Sequence, residues 1–183
     1  MGILIVSGSQ RQSDEFLRKV ARFLRRLEVK ARGDGSNRSS LQLPNGSRIV
    51  ALPEVEETSR GFSALSLLII DEAAIVADKV YDAVLPMLAT TDGDLWLLST
   101  PRGKCGFFWE EWANGGPEWT RISVRAEDCP RISPSFLEEE RRRKGDIEFR
   151  REYCCEFLQP ENAVFREDDF DACVTDDAPL MLP

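Results

Sequence analysis

The sequence predicts an α/β protein built on a largely parallel, doubly wound sheet, and three observations lead there. Continuous apolar runs at ILIVSGS, LLIIDE and LWLLST read as strands buried on both faces. Helix-period segments separate them. Turn-forming residues close several of these segments. Strands alternating with helices in this manner form a parallel sheet whose ligands bind beyond the carboxyl ends of the strands.

The elements follow in order. ILIVSGS is the first strand, and Ser13-Asp14-Glu15 supplies helix-starting chemistry. Phe16, Val20, Phe23, Leu24 and Leu27 then fall on one helix face, opposite Arg18, Lys19, Arg22, Arg25, Arg26 and Lys30. GDGSNRSS is a loop, and LQLPNGSRIVALP reads as two short strands around Asn45-Gly46. SALSLLIIDEAA is a second buried strand running into a helix that extends to about Val84, and LWLLST is a third, broken by Pro101-Arg102-Gly103. FFWEEWANGG is a helix closed by Gly115-Gly116, and WTRISVRA alternates like a further strand. Residues 133–158 are charged and predict two helices broken at Gly145-Asp146, followed by an acidic tail with little periodicity.

Composition narrows the function classes. The chain has 183 residues, room for one domain with a real core. Its net charge of −8, from 24 basic and 32 acidic residues, argues against a protein that coats DNA passively, because phosphate affinity comes from clustered Lys and Arg. There is no histidine, which rules out His-based zinc sites and Ser-His-Asp triads. Cys105, Cys129, Cys154, Cys155 and Cys173 form an odd set without CxxC spacing, arguing against a disulfide framework or zinc ribbon and for a reducing, cytoplasmic setting. The first residues lack a basic region and a small-residue cleavage site, and no apolar stretch approaches the roughly 20 residues of a membrane span. The expectation is a soluble protein with no membrane partner.

Two segments carry chemistry. Leu67-Leu68-Ile69-Ile70 forms a central strand that brings Asp71 and Glu72 to the carboxyl end of the sheet. An acid there can hold Mg²⁺, a hard cation that takes oxygen ligands and keeps several waters. A neighbouring carboxylate can orient and deprotonate an attacking water, which makes this a Walker B pattern with a catalytic Glu. The same pattern also arises where a strand simply meets a helix N-terminus, since the helix dipole favours acids. The second segment favours the functional reading. About 25 residues on, LWLLSTPRG repeats the arrangement, a buried strand ending in Ser99-Thr100-Pro101. Hydroxyls at that end suit contact with a terminal phosphate because they donate or accept without adding charge.

With both segments in place, SRGFSALSLLIIDEAAIVADKVYDAVLPMLATTDGDLWLLSTPRGKCGFFWEEW resembles the large terminase subunit of tailed bacteriophages and prophages throughout its length. ILIVSGSQRQSDEFLRKV, LQLPNGSRIVALP and REYCCEFLQPENAVFREDDFDA are similar to that family's flanking segments in the same order, so the likeness extends over residues 3–173. The resemblance implies a P-loop NTPase-like (ASCE) core over residues 1–125 and a helical lid or linker over residues 126–183, leading toward a nuclease domain. It implies an ATP hydrolase that drives double-stranded viral DNA into a prohead in the host cytoplasm. The partners would be a portal protein and a small terminase subunit, and the full-length protein would form a ring of like subunits. By position, Asp71 would hold Mg²⁺ with ATP, Glu72 would be the catalytic base, and Ser99, Thr100 and Pro101 would couple hydrolysis to movement. Arg60, before Gly61, sits where the family often has an Arg-Gly pair and would be nucleotide-binding; the other reading is a solvated loop arginine.

The sequence departs from that pattern in one respect. No GxxxxGK[ST] occurs in it, and Gly33-Asp34-Gly35-Ser36 lacks the lysine and the strand-to-helix setting of a phosphate loop. The expectation is a partial chain whose Walker A unit lies upstream and whose nuclease carboxylates lie downstream, inactive by itself. A superfamily 2 helicase is the same-class alternative, because DEAA resembles the DEAD box and STP the SAT motif, but no second RecA-like domain follows. A non-catalytic prophage remnant acting as an assembly module is the other alternative. The basic face of residues 18–32 reads first as the solvated side of an amphipathic helix, and EEERRRKGDIEFRRE as an ion-paired surface. Phe107, Phe108, Trp109 and Trp112 read as packing residues.

Overall fold

The computed structural model describes residues 1–33, 39–53 and 64–159, and forms one six-stranded sheet flanked by helices. The strands are β1 (Gly2–Ser7), β2 (Arg32–Gly33), β3 (Ser40–Gln42), β4 (Arg48–Pro53), β5 (Leu65–Asp71) and β6 (Asp94–Leu98). The helices are α1 (Gln10–Arg26), α2 (Asp78–Val84), α3 (Gly106–Ala113), α4 (Pro134–Lys144) and α5 (Asp146–Cys154), with a 3-10 turn at Leu85–Leu88. The sheet order is β2-β3-β4-β1-β5-β6. β4, β1, β5 and β6 run parallel, while β3 and β2 run antiparallel at one edge. The largely parallel α/β sheet expected from the sequence is therefore present, with β2 as an added edge strand.

Alternation along the strands divides the core into two layers. Leu4 and Val6 of β1, Val50 and Leu52 of β4, and Leu68 and Ile70 of β5 face one side, where they meet Val80, Val84, Phe107 and Phe108. Ile5, Ile49, Ala51 and Ile69 face the other, beneath Leu17 of α1. The β3–β4 hairpin turns at Pro44-Asn45-Gly46, where Gly46 has φ 80° and the Ser47 N–H donates to Asn45 Oδ1 at 3.0 Å.

Four local features differ from the sequence-based expectation. α1 begins at Gln10 behind the Ser9 cap, not at Ser13. Ser13 is fully buried and shares a 2.8 Å hydrogen bond with the equally buried Ser7 Oγ, so a polar residue that looked like a helix start is an internal peg onto β1. Leu17 is the buried apolar residue of α1, with Phe16, Val20 and Leu24 partly buried beside it, whereas Phe23 and Leu27 are exposed. β6 is an edge strand rather than a buried one: Leu95 and Leu97 pack on the core, but Trp96 and Leu98 are 56% and 44% exposed because α1 covers the β3, β4 and β1 part of that face. WTRISVRA joins no strand among the described residues. Its alternation finds no neighbouring strand, and Ile122 and Val124 are exposed.

The two charged helices form as predicted, broken at Gly145 with φ 82°. Arg141–Asp146, Arg143–Glu140, Arg150–Glu156 and Arg151–Glu148 pair along them. Glu140 is the buried acid of α4; it accepts from Arg143 Nε at 2.7 Å and from the Tyr153 hydroxyl of α5 at 2.8 Å. These bonds lower its carboxyl pKa from the ordinary 4.5 to about 2. A carboxyl depressed on folding contributes stability that is complete above pH 4.5 and lost as pH falls toward 2. Glu140→Gln is therefore expected to lower the melting temperature at pH 7, with the gap to the parent protein narrowing below pH 4.5. Thermal denaturation across pH 7 to 3 checks this, and a gap independent of pH would refute it.

Candidate functional site

The site lies where β5 and β6 end side by side. Asp71 is the last residue of β5, opposite Ser7 of β1 on one side and Leu98 of β6 on the other. Four apolar residues, Leu67 to Ile70, run between β1 and β6 and carry that end to a fixed height, so Asp71 emerges partly exposed above the buried Ile70.

One residue further, the chain leaves the sheet. Glu72 has φ 57°, left-handed backbone that an L-residue adopts only when its surroundings hold it there. A turn follows, with the Ile75 N–H donating to Glu72 O at 2.9 Å. The helix expected directly after Asp71-Glu72 therefore starts only at Asp78. A left-handed residue interrupts right-handed helical backbone, and the two amides after it turn back toward the end of β6. Ala73 N–H donates to Leu98 O at 3.0 Å, and Ala74 N–H donates to Ser99 Oγ at 3.1 Å.

Ser99 therefore lies against the Glu72 turn, its hydroxyl donating in turn to Thr100 O at 2.8 Å. Thr100 is partly exposed and Pro101 buried, and the Thr100 hydroxyl has no hydrogen-bond partner among the described residues. Asp71, Glu72, Ser99, Thr100 and Pro101 thus gather at one end of two adjacent strands. Arg60 and Gly61 lie outside the described residues.

Burial raises the Glu72 pKa above the ordinary carboxylate value, Asp71 adds repulsion beside it, and Glu152 of α5 adds more. A carboxyl raised in this way takes up a proton more readily than an ordinary one. Among the described residues no cluster of three or more His, Cys, Asp or Glu could cage a metal. A donor set of one or two carboxylates suits a cation that completes its shell with water and phosphate, as Mg²⁺ does.

The sequence did not disclose the frame behind the site. Asp78 Oδ1 accepts from Phe107 N–H at 2.8 Å, tying α2 to the first turn of α3. Tyr81 stacks on Phe107 with ring centroids 4.2 Å apart, and its hydroxyl donates to Glu111 at 2.8 Å. The second oxygen of Glu111 accepts from Trp119 Nε1 at 2.8 Å. Phe108, Trp109 and Trp112 surround Phe157, with centroids 5.7, 4.9 and 5.8 Å away, which fits packing residues. These partners lie 29 or 30 residues apart in the two α2–α3 bonds, and no local pattern announces such a pairing.

The family described as "Terminase large subunit, T4likevirus-type, N-terminal" matches residues 3–172. The large terminase subunit of Escherichia phage T5 is 26% identical over 178 residues, covering 93% of this chain and 40% of that protein. That of Thermus phage G20c is 29% identical over 120 residues, covering 56% of this chain and 25% of the relative. The chain thus spans well under half the length of these relatives. Among solved structures, the large terminase ATPase domain of Thermus phage P74-26 superposes with a TM-score of 0.65 at 21% identity, over 86% of this chain and 76% of that one. A large terminase from another thermophilic bacteriophage, solved in complex with ADP, gives 0.69 at 15% identity, over 86% and 40%. The structural likeness establishes a shared fold.

The Asp78 bond is one of two hydrogen bonds that join the helix after β5 to the helix after β6. Asp78→Ala is expected to destabilise the fold by roughly 1.5–3 kcal/mol, the range for a hydrogen bond to a charged group. Urea unfolding monitored by tryptophan fluorescence measures it, and a change below about 0.5 kcal/mol would show that solvent replaces the bond.

Proposed function

The chain belongs to the terminase large subunit family, and from that premise we propose that it is part of the ATPase motor that drives double-stranded DNA into a prohead. The observation that carries this reading is the junction at the ends of β5 and β6: Asp71 and Glu72 on one strand, Ser99 on its neighbour, bound together through Ala73 and Ala74. A nucleotide at that junction would meet a metal-binding acid, a base and neutral hydroxyls at once.

Asp71 would hold Mg²⁺ with ATP, and that cation would supply neutralising charge at the phosphates. Glu72, with its raised proton affinity, orients the attacking water and accepts its proton. Ser99, Thr100 and Pro101 pass the loss of the terminal phosphate to the rest of the sheet. Arg60, outside the described residues, would be nucleotide-binding by its position in the family pattern. Residues 126–183 act as a lid and linker; the packing of Phe157 on Phe108, Trp109 and Trp112 supports that role for the part described. A portal protein, a small terminase subunit and further copies in a ring are the partners, in the host cytoplasm. No described helix is long and apolar enough to cross a membrane.

The 183 residues contain no GxxxxGK[ST], so the phosphate cradle comes from outside them. That feature also favours a second reading, an assembly module that joins a motor without hydrolysing ATP. One set of measurements separates the two. The 183-residue chain is expected to release phosphate from MgATP negligibly. Extended with the Walker A segment of a close relative, it should gain activity that Glu72→Gln lowers by about 10²–10⁴-fold. Asp71→Asn should chiefly weaken MgATP binding. An extended chain that stays inactive supports the assembly module, and full activity in both variants would show that the site lies elsewhere.

Coupling has its own test in the extended, packaging-competent protein. Thr100→Ala is expected to reduce DNA packaged per ATP hydrolysed while changing nucleotide affinity by less than about tenfold, since one neutral hydrogen bond contributes about 0.5–1.5 kcal/mol. Packaging and ATPase assays run side by side on this variant decide it. Equal loss of both activities would assign Thr100 to binding or structure.

A further inference from the structure

The backbone of Glu72 poses a physical question: what holds a glutamate at φ 57°. Three hydrogen bonds form the turn around it. Ile75 N–H to Glu72 O at 2.9 Å is internal to the turn and does not attach it to the sheet. Ala73 N–H to Leu98 O at 3.0 Å attaches it by main chain, at a position no side-chain substitution removes. Ala74 N–H to Ser99 Oγ at 3.1 Å is, among the described residues, the attachment of the turn amides that runs through a side chain.

Ser99 is oriented for that task from its other side. A hydroxyl has one proton to donate and lone pairs with which to accept. Its proton goes to Thr100 O at 2.8 Å, which turns the lone pairs toward Ala74. The donated bond fixes the hydroxyl on its own segment, and the accepted one holds the two strand ends together. Thr100 is the hydroxyl of the pair left without a partner among the described residues.

The geometry points to a division of labour within the pair: Ser99 is a positioning residue that acts on Glu72 through the Ala74 amide, and Thr100 carries the hydroxyl free to meet a ligand. Without the Ser99 oxygen, Ala74 N–H loses its acceptor, the turn keeps one attachment, and Glu72 relaxes toward right-handed backbone, which redirects its carboxylate relative to Asp71. The importance of this for catalysis rests on the reading of Glu72 as the base. The positioning itself does not.

The test uses the 183-residue chain without nucleotide, so it stands apart from activity. Amide hydrogen exchange by NMR is expected to show Ala74 exchanging at least about tenfold faster in Ser99→Ala than in the parent chain, the loss of one hydrogen bond. The amides of Ile69 and Ile70 in β5 should be unchanged, and the Glu72 carbon shifts should leave left-handed values. Ser99→Thr keeps the oxygen and should restore both signals. If Ser99→Ala does not fold, Ser99→Cys takes its place, because a thiol is a weak acceptor of similar size; Ala74 should then exchange faster than in the parent. Unchanged Ala74 exchange, or equal acceleration throughout β5, overturns the proposal. In the chain extended with a phosphate loop, Ser99→Ala should lower kcat with little change in KM for ATP, and Ser99→Thr should recover it. Full turnover in Glu72→Gln would instead refute the base assignment while leaving the exchange result intact, so the two ideas fail separately.

Discussion

β5 is covered on both faces and hydrogen-bonded along both edges, and the site depends on that enclosure. Leu68 and Ile70 are fully buried against one layer, Ile69 nearly so against the other, while β1 and β6 pair with the strand from either side. A strand held on four sides cannot slide, because a slip of one residue would send Leu68 and Ile70 to the opposite face. Truncating a buried aliphatic residue of this kind costs roughly 2–5 kcal/mol. The height of Asp71 above the sheet, and its row with Ser7 and Leu98, follow from this register.

Beyond the sheet, polar contacts take over from packing. The chain must turn sharply after Asp71, and its amides find acceptors on β6 and the residue just past it rather than in a new helix: Leu98 O for Ala73 and Ser99 Oγ for Ala74. The helices that follow β5 and β6 are joined by Asp78 to Phe107 N–H and by Tyr81 to Glu111. Desolvation of Tyr81 and its bond to Glu111 raise its phenol pKa, so it remains a neutral donor throughout the physiological range. Movement of one strand end is thereby tied to movement of the other.

Charge is distributed unevenly over the molecule. The net charge is −8, yet α1 displays Arg18, Lys19, Arg22, Arg25 and Arg26, and Glu15 pairs with the first two. Arg25 and Arg26 sit in the last turn, where cations complement the helix dipole. These basic residues lie on the exposed face of an amphipathic helix. At the opposite extreme, burial together with the nearby Asp71 and Glu152 favours the protonated form of Glu72.

The amino-acid sequence by itself determined β1, β5 and β6, the carboxylates at the end of β5 and the hydroxyls at the end of β6, because continuous apolar runs closed by small polar or acidic residues have few structural solutions in an α/β chain. It likewise determined the β3–β4 hairpin and the break at Gly145, both set by residues adjacent in sequence. Tertiary structure decided whatever depends on distant neighbours. LWLLST became a half-exposed edge because α1 stops short of it, and WTRISVRA pairs with no strand among the described residues. Glu72 entered left-handed backbone because amides one and two residues later bond to another strand end. Ser99 and Ala74 are 25 residues apart, and no periodicity encodes a bond between them; only the parallel register of β5 and β6 brings that hydroxyl to that amide.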